Sequence, residues 1–278
     1  MRVSICGVRG SVPVTDPGSM GAGGNTSCVA IGHDGDPPVL VLDAGTGVRR
    51  VTRMLGSSPF TGAIVLSHLH WDHVQGLPFF SAADHPDADV ALLMPEQGEP
   101  AIDVLTRIMS PPFFPILPGE LRGRWTVEGY GEGVRRVEGF SMLAREIPHG
   151  GGLTMGLRVS DGRSCVAYLP DHGPQELGPG DDGLGVLHPA AIALASGADL
   201  LIHDAQYTAA ELPERLGFGH SAADYAVSLA ARCGVPRVLL FHHDPCRTDD
   251  ELETIAAGLR RDGAPSVAIA REGEIIDL

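Results

Sequence analysis

The chain has 278 residues, and the hydrophobic fraction of 43% is enough to bury a sizeable core in one large domain. Its 20 basic and 35 acidic residues leave a formal charge of −15, which repels the phosphate backbone of a long nucleic acid. Five cysteines without a CxxC pair favour a reduced, cytoplasmic protein over a disulfide framework.

Short β-rich segments bounded by turn residues dominate the first third of the chain. Four of them, VSICGV, CVAIG, VLVLDAG and AIVLSH, predict strands. The loop from Arg9 to Asn25 is rich in glycine but lacks the spacing of a phosphate-binding loop, so we interpret it as a structural turn. The N-terminal MRVSICGVRG has no basic run followed by a long apolar core, and no segment approaches the length of about 18 apolar residues that a membrane span needs, so we expect a soluble, unexported protein.

The region from about Asp84 to Glu138 has a different composition. Prolines and glycines are frequent there, and MSPPFFPILPG places Phe113 and Phe114 among prolines. Proline lacks a backbone donor, so this proline-rich segment cannot form a regular central strand. Two interpretations stay open, namely an irregular packed connection and a lid insertion around 84–138 that sets an aromatic wall over a site.

The second half of the chain carries clearer helix signals. Ser221 and Asp224 resemble a capping box, and AADYAVSLAARC has apolar residues at helical spacing. This pattern predicts a helix over 222–233 that ends at Gly234.

The C-terminal segment predicts a second helix and a hairpin. Thr248 and Glu251 form another capping-box signature ahead of ETIAAGLRR, with Gly263 as the stop. The closing VAIAREGEIIDL is typical of a hairpin that turns around Glu272–Gly273.

The segment SHLHWDHVQG concentrates three histidines and one aspartate behind the predicted strand AIVL. Alternation along the strand places His68 and His70 on one side, and a turn can aim Asp72 and His73 at a neighbouring point. Imidazole nitrogen and carboxylate oxygen suit zinc, and four such groups are enough to begin a second metal position. The segment therefore predicts a metal site.

Five motifs in order resemble the metallo-β-lactamase superfamily. HLHWDH matches its HxHxDH motif, while LDAGTG, IPHGG, LPDHG and LLFHHDP resemble its first, third, fourth and fifth motifs. The resemblance covers nearly the whole chain. It implies an α/β (α+β) fold, a four-layer αββα sandwich over residues 1–278, with a dinuclear metal site along one edge.

The same resemblance implies two divalent metal ions, zinc or else manganese, and assigns their ligands. His68, His70 and His149 would hold the first ion, Asp72, His73 and His242 the second, and Asp171 would bridge them. Asp43 would orient the ligands. His243 adjoins His242 and leaves the last ligand open, although alignment with the family's final strand favours His242.

Position 70 bears on the chemistry. The oxygen-reducing di-iron branch of the superfamily has glutamate where this chain has His70. Imidazole at that place favours hydrolysis with zinc or manganese over redox chemistry.

The segment HDAQYTAAELPERLGFGHSAAD resembles a motif pair of tRNA 3′-processing ribonucleases and cyclic-phosphate phosphodiesterases. In those proteins an acidic residue partners a histidine that is not a metal ligand, and Asp204 and His220 match these positions. With Asp72 they are the catalytic candidates. An imidazolium held by a carboxylate can protonate the leaving alkoxide of a phosphodiester, and the helix expected after His220 would direct its positive end toward an anion.

Two departures favour a small substrate over tRNA. The tRNA-processing enzymes usually have glycine where this chain has Trp71, and no basic RNA-gripping arm is evident. We expect Trp71 to pack in the core, with a pocket wall as the alternative.

Three hypotheses follow for the function. The first is a phosphodiesterase that cleaves a small or cyclic phosphodiester through a metal-bridging hydroxide. The second is a lactone, ester or thioester hydrolase on the same metal centre, and the third is a metal-stabilised binding protein without enzymatic activity. The expected partner is a small molecule, with no long nucleic acid and no membrane, and a homodimer is left open.

The remaining histidines receive simpler interpretations. His33, His85 and His188 lie near predicted turns and are expected to face solvent. His172 either approaches the site or packs against backbone, and His203 either supports a ligand or belongs to the core.

Overall fold

The strands form two sheets of seven in a computed structural model that describes all 278 residues. The first sheet has the order β14-β1-β2-β3-β4-β5-β6 and the second the order β13-β12-β11-β10-β9-β8-β7. The first sheet contains β1 (Arg2–Gly7), β2 (Cys28–Gly32), β3 (Leu40–Leu42), β4 (Thr61–Val65), β5 (Asp89–Pro95), β6 (Arg124–Tyr130) and β14 (Ile275–Asp277). The second contains β7 (Gly133–Val137), β8 (Phe140–Glu146), β9 (Met155–Ser160), β10 (Cys165–Leu169), β11 (Leu200–Asp204), β12 (Arg237–Phe241) and β13 (Ser266–Ile269).

Helices cover the outer faces of both sheets. The six α-helices of the chain are α1 (Val48–Leu55), α2 (Trp71–Val74), α3 (Ala101–Ile108), α4 (Pro189–Ala195), α5 (Ala223–Cys233) and α6 (Asp249–Leu259). α1 and α3 pack on the first sheet, and α4, α5 and α6 pack on the second. None of them is long and apolar enough to cross a membrane.

Three apolar layers hold the four structural layers together. The inner layer lies between the sheets and contains Val29, Val65, Leu157 and Phe241. The two outer layers lie under the helices of the second and the first sheet. The central strands β2, β3 and β10 are buried on both faces, one against the other sheet and one under helices, and their residues are apolar on both sides. The predicted αββα sandwich of the α/β class is confirmed.

The parallel halves of the two sheets deliver their loops to one edge. β3 to β6 run parallel in the first sheet, and β10 to β13 run parallel in the second. The loops after β3, β4, β10, β11 and β12 carry all of the motifs identified in the sequence except IPHGG, which follows the antiparallel strand β8. Carboxyl ends of parallel strands are the usual place for a site in such sheets.

The four strands predicted in the first third of the chain are confirmed as β1 to β4, but the predicted C-terminal hairpin is wrong. β13 belongs to the second sheet and β14 to the first, so the two strands do not pair. The intervening backbone instead bonds to the N-terminal region, where Gly273 N–H donates to Ile5 O over 2.8 Å. Ile276 enters the layer between the sheets, and this long-range burial outweighs the local turn signal.

The helix predicted over 222–233 is confirmed as α5, but its capping box is not. The helix begins at Ala223, and its first residues receive no side-chain cap. Ser221 Oγ donates to the carbonyl of His172 over 2.5 Å instead, which ties the start of α5 to the loop after β10. Gly234 ends the helix in the left-handed conformation, as predicted.

The second predicted helix is confirmed as α6, and its capping box forms between Thr248 and Glu251. The helix ends at Leu259, four residues before the predicted stop at Gly263.

The expected irregular or lid region around 84–138 is broader than the structure supports. β5, α3, β6 and β7 all lie within it, and β5 and β6 complete the first sheet. The proline-rich stretch 109–123 is the part without a long regular element, which agrees with the missing donors of its prolines.

Candidate metal centre

The HLHWDH motif places its side chains through one extended stretch and one helical turn. His68 and His70 follow β4 before the turn, and α2 then carries Asp72 and His73 on its inner face. His68, Asp72 and His73 are buried, whereas His70 is exposed at the mouth of the site.

Three histidines and one aspartate form a first group. His149 Nε2 lies 3.0 Å from His70 Nδ1 and 3.2 Å from Asp171 Oδ2. His68 Nε2 lies 3.6 Å from the same carboxylate oxygen. These donor atoms come from the loops after β4, β8 and β10, so both sheets contribute to the group.

A second group uses the other oxygen of Asp171. His73 Nε2 lies 3.0 Å and His242 Nε2 3.3 Å from Asp171 Oδ1. Asp72 Oδ2 lies 3.1 Å from His242 Nε2. The structure thus brings together all seven residues that the sequence assigned as ligands, with Asp171 common to both groups.

Two buried atoms test whether this arrangement fits metal ions. His68 Nε2 and Asp171 Oδ1 have no hydrogen-bond partner, although buried polar atoms almost always have one. The Nε2 atoms of His73 and His242 lie 3.4 Å apart and point toward common neighbours. A donor set of imidazole nitrogens and carboxylate oxygens, with orphaned atoms facing its centre, fits two divalent cations.

Asp43 supports the centre from behind. Its Oδ2 lies 2.8 Å from His73 Nδ1 and accepts a hydrogen bond of 2.8 Å from Tyr168 O–H. Its Oδ1 accepts from Ser67 N–H over 2.6 Å. With Nδ1–H held by a carboxylate, His73 presents Nε2 to the second group. Asp43 is fully buried with φ of 58°, a conformation that non-glycine residues rarely adopt.

The other ligand-type histidines are held in the same way. His149 Nδ1–H donates to Gly219 O over 2.6 Å, and His242 Nδ1–H donates to Gln206 Oε1 over 3.2 Å. Gly219 is required at its place, because a Cβ there would lie 1.9 Å from the carbonyl oxygen of His149. These contacts fix the ring orientations and leave each Nε2 as an acceptor for a cation.

Burial and neighbouring charges set the ionisation of the groups. Burial lowers the pKa of His68, His70 and His149 below the ordinary histidine value, so these rings are neutral and able to bind a cation. For Asp72, burial opposes ionisation, yet the adjacent His73 and His242 bring its pKa well below the ordinary value. The first group therefore offers neutral imidazoles, and the second an ionised carboxylate. At His73, burial lowers the pKa, but the carboxylates of Asp171, Asp72 and Asp43 outweigh it and the net shift is upward.

Asp204 and His220 form a pair beside the two groups. His220 Nδ1–H donates to Asp204 Oδ2 over 2.9 Å and lies 3.9 Å from Asp171 Oδ2. Asp204 is fully buried and also accepts from the backbone N–H groups of His172 and Gln206, each over 3.0 Å. Burial lowers the pKa of His220, but Asp204 outweighs it and the net shift is upward. The pair can hold a proton at the edge of the centre.

The glycine-rich loop after β1 also contacts the centre. In this loop, Ser11 N–H donates to Asp72 Oδ2 over 2.7 Å, and Gly10 packs on His242. The interpretation of the loop as a structural turn did not include these contacts with the ligand residues. A Cβ at position 10 would lie 2.5 Å from His242 Nδ1. Arg9 is fully buried and anchors the loop, and its guanidinium donates to the carbonyls of Ser19, Gly23, Asp244 and Arg247.

Several other sequence assignments change. Trp71 does not pack in the core, since 75% of its surface is exposed. His188 does not face solvent, because it is buried and lies 2.7 Å from His172 Nε2. The predictions for both residues used only their neighbours in the sequence. Their burial is decided by the conformation of the chain around α2 and before α4.

The adjoining histidine at position 243 lies outside both groups. Its Nε2 donates to the carbonyl of Ala270 over 3.0 Å, and it is fully buried. His242, with φ of 56°, turns into the second group.

Three supporting residues escaped the sequence analysis: Tyr168, Gln206 and Gly219. Gln206 lies within HDAQY, only two residues after Asp204, so its proximity to the site was a usable signal. Tyr168 precedes LPDHG by one residue and has no signal of its own, because its role depends on the packing between the sheets.

Comparison with known proteins defines the class. Residues 39–243 match the family described as "Beta-lactamase superfamily domain", and the chain therefore belongs to the β-lactamase superfamily. The two mixed sheets and the histidine–aspartate groups are those of its metallo-β-lactamase fold. The resemblance identified from the motifs is confirmed.

Individual relatives refine this classification. A ribonuclease Z of Natronomonas pharaonis is 24% identical over 275 residues, which cover 87% of this chain and 86% of the relative. A diphosphatase of the PhnP family has a TM-score of 0.73 at 19% identity, over 100% of this chain and 97% of that one. The short form of human tRNase Z has a TM-score of 0.67 at 20% identity, over 100% and 99% of the two chains. Membership and relatives together support a metal-dependent hydrolase.

Proposed function

We propose that this protein is a dinuclear metal-dependent phosphodiesterase that acts on a small phosphodiester. The observation that carries the proposal is the Asp204–His220 pair, whose Nδ1 lies 3.9 Å from the shared carboxylate of Asp171. A phosphodiester leaves as an alkoxide that needs a proton, and a histidine held by a buried carboxylate can deliver one. Hydrolysis of a carboxylic ester has less need of such a pair.

The proposed ligand assignment follows the two groups. His68, His70, His149 and Asp171 would hold one ion, and Asp72, His73, His242 and Asp171 the other. Two bound divalent cations supply Lewis acidity toward the phosphoryl oxygens and lower the pKa of water. Asp43, Gln206 and the carbonyl of Gly219 orient the rings, so that the site is assembled before substrate arrives.

His220 is the proposed proton donor. Asp204 accepts from its Nδ1–H and thereby directs Nε2 as the nitrogen that faces a leaving oxygen. The upward pKa shift keeps the ring protonated at higher pH than a free histidine, which suits an acid rather than a base.

Charge supports a small substrate over a long RNA. The net charge of −15 opposes a polyanion, and several arginines are already paired with acids, such as Arg122 with Asp84 and Arg247 with Glu211. Because relatives of this chain are named ribonuclease Z, a tRNA precursor is the alternative substrate that a test must include.

The test compares four substrates on protein loaded with zinc or manganese. Bis-(p-nitrophenyl) phosphate and a 2′,3′-cyclic nucleotide should be hydrolysed, whereas a lactone and a tRNA precursor with a 3′ extension should not. Release of p-nitrophenol and chromatography of the nucleotide measure the first two reactions. Absence of hydrolysis across a broad panel of phosphodiesters with both metals would falsify the proposal. Selective cleavage of the tRNA precursor would show that the substrate is an RNA and not a small phosphodiester.

A further inference from the structure

A cavity of about 410 Å³ lies beside the candidate metal centre. Its walls come from α2, the segment after it, α3 and the proline-rich stretch, and they include Trp71, Leu77, Phe79, Leu105, Phe113 and Phe114. This volume falls within the range of about 300 to 1,000 Å³ that small-molecule sites occupy.

One helical turn joins the cavity to the metal centre. Asp72 and His73 of α2 belong to the second ligand group, while Trp71, Val74 and Gln75 line the cavity. Positions three and four apart share one side of a helix, so the turn separates the two ligands from the cavity wall. His70, a proposed metal ligand, and Trp71, a residue of the cavity wall, are consecutive in the chain and both exposed. The surface at the mouth of the metal centre therefore continues into the surface of the cavity.

The cavity presents aromatic surface that nothing in the chain covers. Phe113 is 82%, Trp71 75% and Phe79 58% exposed, and the rings of Phe79 and Phe114 meet edge to face at 6.0 Å. Exposed aromatic surface of this extent beside a site indicates a ligand that covers it. Aromatic side chains bind planar aromatic groups such as nucleobases by stacking, and the strength of stacking depends little on which base is present.

The two longest polar side chains of the cavity wall are already engaged. Gln75 Nε2 donates to Thr26 Oγ1 over 3.3 Å, and Arg107 forms an ion pair with Glu99. The walls therefore offer apolar contact, with few free groups to read the polar edge of a ring. An anionic phosphate would not enter such a space, so it would stay at the metal centre while an apolar ring enters the cavity.

We propose that this cavity binds a planar aromatic group, such as a nucleobase, of the phosphodiester whose phosphate lies at the metal centre. The inference rests on the proposed phosphodiesterase function and names its substrate class. Ring binding is by stacking on Trp71 and Phe113, so different bases are accepted with similar affinity, and diesters without an aromatic group bind weakly.

A fluorescence experiment tests ring binding without using turnover. The chain has two tryptophans, Trp71 and Trp125, and Trp125→Phe leaves Trp71 as the single reporter. Titration of this metal-loaded variant with adenosine or uridine 5′-monophosphate should quench its fluorescence, and ribose 5-phosphate should not. Phe113→Ala should weaken the nucleotide titration about fivefold or more. Equal quenching by ribose 5-phosphate, or none by the nucleotides, overturns the proposal.

A kinetic experiment in the otherwise unchanged chain gives an independent readout. Phe113→Ala should raise KM for bis-(p-nitrophenyl) phosphate about fivefold or more with little change in kcat, and should leave KM for glycerophosphoethanolamine unchanged. Val134→Ala, an exposed apolar residue on the distant β7, is the matched control and should change neither value.

The two experiments separate failure of this inference from failure of the proposed function. Hydrolysis of both diesters with no effect of Phe113→Ala on either KM overturns the aromatic cavity and leaves the phosphodiesterase intact. Quenching by nucleotides without hydrolysis of any diester overturns the phosphodiesterase, and with it the assignment of the ring as part of a substrate.

Discussion

Asp171 is the residue on which both halves of the candidate centre depend. Each of its oxygens faces a different set of imidazoles, and Oδ1 is buried without a hydrogen-bond partner. Burial opposes its ionisation, but His242, His73, His68 and His149 bring its pKa well below the ordinary value. A single ionised carboxylate thereby offers one oxygen to each of the two groups.

Loss of this carboxylate should weaken metal binding at both positions. We predict that Asp171→Ala lowers the metal content from about two ions per chain to fewer than one, because each ion loses a ligand. Elemental analysis after dialysis against zinc measures the effect. Asp204→Asn, which changes a carboxylate outside the proposed ligand set, should retain the wild-type metal content, and parallel loss in both variants would contradict the assignment.

His220 gives a prediction that depends on the leaving group. His220→Ala should slow hydrolysis of a 2′,3′-cyclic nucleotide on the order of 10² to 10⁴-fold, because the ribose alkoxide needs a proton. Hydrolysis of bis-(p-nitrophenyl) phosphate should fall much less, since p-nitrophenolate leaves without one. Initial rates with both substrates and elemental analysis measure the difference. Loss of metal in the variant would instead make His220 a ligand.

At the scale of elements, the buried side chain of Arg9 links the loop after β1 to the segment after β12. Its guanidinium donates to the carbonyls of Ser19 and Gly23, which have no other donor. It also donates to the carbonyls of Asp244 and Arg247, which accept in addition from Arg247 N–H and Ser19 O–H. Burial lowers the pKa of Arg9, although Asp249 at 3.7 Å opposes that shift. The loop in turn places Ser11 N–H on Asp72.

Arg9→Met should therefore destabilise the protein strongly. The buried carbonyls of Ser19 and Gly23 would lose their donor, and we predict a loss of about 3 kcal/mol in the free energy of unfolding. Urea unfolding measures it. Arg2→Met is the matched control, because Arg2 pairs with Asp277 at the surface, and it should change stability little.

A chain of three buried histidines links β10, β11 and the start of α4. His203 Nδ1–H donates to the carbonyl of Asp204 over 2.7 Å, which leaves its Nε2 to accept from His172 Nδ1–H over 3.0 Å. His172 Nε2 must then accept from His188 Nε2–H over 2.7 Å. One backbone carbonyl thus sets the tautomer of all three rings.

This chain should make the fold sensitive to acid. Burial lowers the pKa of His172, His203 and His188 below the ordinary value of about 6.5, so the unfolded chain takes up these protons first. Stability present at neutral pH is therefore lost as the pH falls below about 6.5. His188→Gln keeps a donor for His172 but cannot be protonated, and urea unfolding should show a smaller loss between about pH 7 and pH 5.5 than in the wild type. An equal loss in both would contradict this account.

At the scale of the whole molecule, the candidate centre joins the two sheets. Asp72 and His73 follow a strand of the first sheet, whereas Asp171 and His242 follow strands of the second. Bound cations at these groups would cross-link loops that are otherwise held by hydrogen bonds and by the layer between the sheets.

Metal removal should therefore lower the thermal stability of the entire protein. Ligands that bind the folded state stabilise it by about 2.7 kcal/mol at a hundredfold excess over Kd. We predict that Tm falls on treatment with a chelator and rises with added free zinc in calorimetry. Asp171→Ala should show neither response, and a Tm of the wild type that ignores metal would contradict the assigned groups.

The sequence by itself determined the motif residues and the fold class of this protein. The HxHxDH segment, His149, Asp171 and His242 are recognisable because each motif is short, and the motifs come in a fixed order along the chain. The strands of the first third and the helices α5 and α6 follow from local patterns of apolar residues, glycines and caps.

Tertiary structure alone decided what lies around those motifs. The pairing of β14 with β1 instead of β13, the exposure of Trp71 and the burial of His188 depend on contacts between residues far apart in the chain. The same is true of Tyr168 and Gly219, which support the ligand histidines from other elements. Local sequence encodes dihedral preference and periodicity, whereas burial and orientation arise only when the two sheets pack together.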